Sequence, residues 1–122
     1  ACADAPLAAD VAARLERVVS LSGLHDLRPL LDTKMNDILA LTGEEAAAES
    51  AALLAPRMDL DTLFWVGAAE RPEFLRQTRL IAEVWGEGGA RARDHYDPGH
   101  NHFSVVAELA DPGSDLVRAL IG

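Results

Sequence analysis

Cysteine is almost absent. Cys2 is the only one in 122 residues, which excludes an intrachain disulfide and makes a reducing cytoplasm the default expectation. Basic residues are scarce too: eleven Lys and Arg against twenty Asp and Glu leave a net charge of −9. That balance argues against nucleic acid or an anionic membrane surface as a partner. No apolar run approaches the length of a membrane span, and no basic, apolar leader opens the chain. Internal repeats are missing, and low complexity does not go beyond mild alanine enrichment. What is there is ordinary for a soluble globular chain: 49% hydrophobic residues, 25% charged, and enough length for one domain, 1–122, with a real core.

The pattern along the chain is strand, helices, strand, helix, strand, helix. Ala8 to Leu15 is alanine-rich and helical in propensity. Arg17 to Ser22 is a β-branched run bounded by Gly23 and reads as a buried strand. Asp26 is placed to cap a short turn that tolerates Pro29 near its start. Lys34 to Leu41 and Glu44 to Leu54 read as short helices, with Pro56 to Asp59 as the return turn. Asp61 to Gly67 is a second strand, apolar enough to be covered on both faces. Pro72 opens the strongest helix, with Glu73 beside it at the positive end of the dipole. Phe74, Leu75, Thr78, Ile81, Ala82 and Trp85 form its apolar stripe, and Gly86, Gly88 and Gly89 end it. Ala90 to Tyr96 is a third, less apolar strand nearer an edge. A helix follows His102 with Phe103, Val106, Ala107 and Leu109 or Ala110 on one face, and Ser114 caps a last one through Ile121. This order predicts an α/β fold with three parallel strands and flanking helices.

Open α/β sheets place their chemistry at the carboxyl ends of the strands, and three such ends carry candidates here: Asp26, Glu70 and His102. Taken singly, each has a plain structural role: Asp26 as a cap, Glu70 as a solvated charge or dipole partner, His102 as a capping or core histidine. Taken together, an acid followed by a histidine on successive strand ends matches the Ser…Asp/Glu…His order of a hydrolase triad.

The segment Phe64-Trp65-Val66-Gly67-Ala68-Ala69-Glu70-Arg71-Pro72-Glu73-Phe74-Leu75-Arg76-Gln77 resembles the acid loop of α/β-hydrolases of the kynurenine formamidase (arylformamidase) and esterase group. Asn101-His102-Phe103-Ser104-Val105-Val106 is similar to that group's histidine loop, and Ser20 to Leu30 to its segment after the sixth strand. The resemblance covers nearly all of the chain and corresponds to roughly the carboxyl-terminal half of that fold. It implies a serine hydrolase acting on a small ester or aryl formamide without a cofactor. Glu70 would be the triad acid and His102 the general base. The family often has Asp where this chain has Glu70, so Asp26 stands as the runner-up acid. No Gly-x-Ser-x-Gly elbow and no His-Gly-Gly oxyanion segment occurs, so the resemblance assigns no nucleophile to this chain; Ser20, Ser22, Ser50, Ser104 and Ser114 all lack that context. The chain begins at Ala1 rather than Met, and Ala1 to Pro6 reads like the tail of a helix. The expectation is therefore a chain that starts part-way through the fold.

Two alternatives compete. His95, His100 and His102 with Asp94 and Asp97 put three imidazoles and two carboxylates within nine residues, although the spacing fits no helix or ribbon zinc motif. The chain could also be a catalytically inactive fragment or subunit that serves as a structural or interaction module. In either case the strand Arg17 to Ser22 is too apolar for a free edge. It predicts pairing with the amino-terminal half of a hydrolase fold, or self-association through that edge.

Overall fold

The computed structural model describes residues 1–122. Three strands, β1 (Arg17–Leu21), β2 (Asp61–Gly67) and β3 (Arg91–Asp97), pair in parallel in the order β1-β2-β3. Register runs Arg17 opposite Asp61 to Leu21 opposite Trp65, and Asp61 opposite Arg91 to Gly67 opposite Asp97. At the amino ends Asp61 takes Arg17 Nε at 3.0 Å and Arg93 Nη2 at 2.8 Å. These two guanidiniums, Arg93 foremost, hold the Asp61 carboxyl below its usual range.

The helices are α1 (Ala9–Ala12), α2 (Asn36–Leu39), α3 (Gly43–Ala48), α4 (Pro72–Glu87), α5 (Ser104–Ala107) and α6 (Asp115–Ile121), with short 3-10 turns at Arg28–Asp32, Ala51–Leu53 and Glu108–Ala110. Thr42 and Glu45 close a capping box on α3, and Ser114 caps α6 through Val117 N–H. Strand β2 is central, and its alternation divides the core. Phe64 packs with Ala52, Ile81, Ala82 and Trp85 under α4, while Leu63 and Trp65 pack with Val105 and Leu116 on the other face. A parallel sheet covered on both faces is what the sequence order predicts. No helix is long and apolar enough to cross a membrane.

Four expectations need correction. First, β1 is half-buried along its whole length rather than buried, because it has only β2 as a neighbour. Second, the stretch Glu44 to Leu54 is broken at Glu49 and Ser50, where the Ser50 hydroxyl donates to Ala46 O and accepts from Leu27 N–H. That hydroxyl spends the local backbone partners on tying down the loop after β1. Third, the helix after His102 turns the opposite face inward. Val105 is the buried residue, whereas Phe103 is 83% exposed and Val106 is exposed as well. The single helical turn starts only at Ser104, so a stripe counted from Phe103 is out of phase. Fourth, Asp26 does not sit at the cap position, which Leu27 occupies; its carboxylate accepts Arg28 N–H two residues on and pairs with the Arg28 guanidinium.

Candidate active site

The carboxyl ends of β1, β2 and β3 converge on one side of the sheet, and the last residues of β2 and β3 face each other as Gly67 and Asp97. Beyond them the two loops are stitched by backbone bonds, Ala68 N–H to Asp97 O at 2.8 Å and Ala69 N–H to His100 O at 2.9 Å. Gly67 makes this approach possible: a Cβ there would lie 2.4 Å from His100 O. Gly67 also closes the acid loop, since Glu70 N–H donates to its carbonyl at 3.0 Å.

Within this frame Glu70 and His102 come together. Glu70 Oε2 lies 2.8 Å from His102 Nδ1, and Oε1 accepts from Gly67 N–H at 3.0 Å and from Ser22 Oγ at 2.5 Å. A carboxylate only accepts, so in its contact with Glu70 the His102 Nδ1 carries the hydrogen, which in a neutral imidazole leaves the lone pair on Nε2. The Glu70 side chain is fully buried, whereas that of His102 is 43% exposed. Phe74 lies against the imidazole with ring centroids 4.5 Å apart, and Phe103 meets it edge-on. The arrangement can hold a neutral imidazole in one orientation, with its basic nitrogen free, and stabilise the imidazolium once it gains a proton.

Asp26 makes no contact with His102. Its carboxylate is taken by Arg28, whose hydrogen bonds hold it below the ordinary carboxylate range. The backbone around it is fixed by Gln77, a buried residue of α4. Gln77 accepts from His25 N–H and Asp26 N–H and donates to Asp26 O and Glu73 Oε1, at 2.8 to 2.9 Å. His25 is buried beside Phe64, ring centroids 5.0 Å apart, and burial pulls its imidazole down to about 4.

The histidines near β3 do not gather around a common point. His95 stacks on Trp65 at 3.8 Å and His102 turns to Glu70. Asp97 accepts from Trp65 Nε1 at 3.1 Å. No group of three His, Cys, Asp or Glu side chains is placed together here as a metal site. An open groove of about 1160 Å³ lies at the opposite, amino ends of the strands, between Arg14, Arg17, Asp59, Asp61, Arg91 and Arg93. It is remote from Glu70 and His102.

Two residues that sequence reasoning left aside belong to the site. Ser22 is buried and adopts φ of +50°, a left-handed conformation that costs a non-glycine residue about 1–3 kcal/mol. The lack of an elbow context at Ser22 bears on nucleophiles only and leaves a supporting hydroxyl open. Gln77 ends the acid-loop resemblance, and a polar residue beside the apolar stripe of α4 was the available signal.

No family model matches the chain. It is similar to kynurenine formamidase of Salmo salar, 28% identical over 107 residues, and to kynurenine formamidase of Danio rerio, 25% identical over 117 residues. Among solved structures it is similar to one from Silicibacter sp. TM1040, assigned as a candidate thioesterase, with a TM-score of 0.86 and 40% identity over 95% of this chain. The chain spans 36%, 40% and 42% of the length of these three proteins. The names of all three are those of hydrolases.

Proposed function

We propose that residues 1–122 form the carboxyl-terminal part of a single α/β-hydrolase domain, supplying the acid and the general base for hydrolysis of a small ester or aryl formamide. The observation that carries this reading is the 2.8 Å contact between Glu70 Oε2 and His102 Nδ1, at the carboxyl ends of adjacent parallel strands. The nucleophile would be a serine outside these residues. Its hydroxyl attacks the carbonyl carbon while His102 Nε2 takes the proton; the imidazolium then protonates the leaving alcohol or amine as the acyl bond breaks. Water repeats the cycle on the acyl-enzyme, and Glu70 holds the tautomer and balances the imidazolium throughout.

The open side of β1 supports the same reading. Val18, Val19 and Leu21 lie on a strand with one neighbour, and a further strand there would cover apolar surface and satisfy backbone groups. The partner would be the amino-terminal half of the domain. Light scattering on the 122-residue chain alone tests this: self-association or instability is expected, and a well-folded monomer would count against it. A cytoplasmic location fits the lone Cys2.

The activity is tested on these residues joined to the nucleophile-bearing half of the domain, with an aryl formamide, a nitrophenyl ester and an acyl thioester, beside labelling by a serine-directed fluorophosphonate. The thioester is included because of the Silicibacter relative. Hydrolysis that disappears in His102→Ala is expected. Unchanged turnover in His102→Ala would end the acid–base reading of Glu70 and His102, and a protein that hydrolyses none of the three would leave the inactive structural module as the better description.

A further inference from the structure

Ser22 is the first residue beyond β1. Its N–H still donates to Trp65 O at 2.8 Å, so it is anchored to β2 while φ of +50° turns the chain away. That conformation favours glycine, and the residue present is instead a serine with a buried hydroxyl. The hydroxyl reaches across the end of β2 to Glu70 Oε1 at 2.5 Å, where Gly67 N–H donates at 3.0 Å. The terminal torsion of a glutamate is broad, and one donor on one oxygen constrains it weakly. Two donors converging on Oε1 from β1 and β2 leave Oε2 a single direction, toward His102 Nδ1.

We propose that Ser22 is a positioning residue for the Glu70–His102 pair: its hydroxyl fixes the rotation of the Glu70 carboxylate so that Oε2 meets Nδ1. The role in turnover rests on the acid–base reading of that pair. Ser22 and Ala40 are the two non-glycine residues with positive φ, and where Ala40 only ends a helical turn, Ser22 delivers a hydroxyl to the one carboxylate that contacts His102.

Two substitutions separate the hydroxyl from the backbone. Ser22→Ala removes Oγ and keeps the left-handed strain; Ser22→Gly removes Oγ and relieves it. Both are read by proton NMR of the His102 Nδ1–H, a resonance shifted downfield by its carboxylate partner, and by steady-state kinetics. In both variants the resonance should move upfield and exchange faster with water. Values of kcat should fall roughly tenfold, the scale of one hydrogen bond to a charged group, with KM changed less than about twofold. Thermal stability should separate the variants, with Ser22→Gly the higher, while the resonance moves alike in both. If Ser22→Ala fails to fold, Ser22→Gly decides. A wild-type-like resonance in Ser22→Gly would overturn the proposal, as would its absence from the wild-type protein. The resonance needs no substrate, so a protein that hydrolyses nothing would defeat the hydrolase reading and leave the test of Ser22 standing.

Discussion

Glu70 and His102 share one hydrogen bond of 2.8 Å and stand on opposite sides of the solvent boundary, the carboxylate side chain fully buried and the imidazole 43% exposed. Burial keeps water from competing for the carboxylate, so its three donors come from the protein. Exposure leaves Nε2 reachable. On the proposed acid–base reading, Glu70 would orient from inside and His102 would accept a proton at the surface, and the burial of the pair suits that division.

On the proposed hydrolase reading, His102→Ala abolishes hydrolysis with little effect on melting, because a half-exposed loop side chain contributes little core. Glu70→Gln keeps the shape but puts an amide where a carboxylate accepts three donors. Its turnover should drop by as much as ~10⁴, the scale seen when a triad acid becomes an amide. Steady-state kinetics beside circular dichroism separate lost chemistry from lost fold.

Gly67→Ala tests the joint between the two loops. A Cβ 2.4 Å from His100 O cannot be accommodated unless the backbone of the histidine loop moves. The expected cost is about 1–3 kcal/mol, read by denaturant titration, together with a weakened downfield Nδ1–H signal from His102. A variant with wild-type stability would show that the loops separate easily.

Gln77→Leu should be among the most damaging single changes on α4. It removes four hydrogen bonds and leaves the N–H groups of His25 and Asp26 unpaired in a buried setting. Each such group costs about 1–3 kcal/mol. Urea unfolding measures the sum, and a loss of less than about 1 kcal/mol would mean that water replaces the amide.

The strands and the long helix were legible because their signals are local: a β-branched run before Gly23, an apolar run from Asp61 to Gly67, and Pro72 at a helix start. The placement of Glu70 and His102 on the loops after successive strands was legible for the same reason. Ser22 was not, since its contribution depends on a contact 48 positions away and on a backbone angle that no pattern announces. The phase of α5 escaped for a related reason. One helical turn has too few residues to express a period, and the packing of Val105 against β2 decides which face turns inward.

His25 gives stability a pH dependence of known sign. Its imidazole is held at about 4 in the fold by burial, against about 6.5 in an unfolded chain. The unfolded state therefore binds the extra proton, and stability falls as pH drops from about 6.5 to 4, by roughly 3 kcal/mol in total. Below that window His25 adds no further slope. Urea midpoints at pH 7.5, 6, 5 and 4 in wild type and His25→Gln are the measurement, and the variant should show the shallower decline. Parallel declines would mean that His25 is reached by water.

The ion pairs Arg17–Asp61–Arg93 lie about 20 Å from Gly67 and Asp97, where the loops bearing Glu70 and His102 begin, six strand residues away at ~3.3 Å each. Pairs this exposed add little to stability. Their consequence lies in alignment. A slip of β3 along β2 would carry Arg93 away from Asp61 and, at the far end, displace the loop bearing His102 from the loop bearing Glu70. The register that seats Arg93 beside Asp61 is the same register that, at the other end of the sheet, brings the Glu70 loop to the His102 loop.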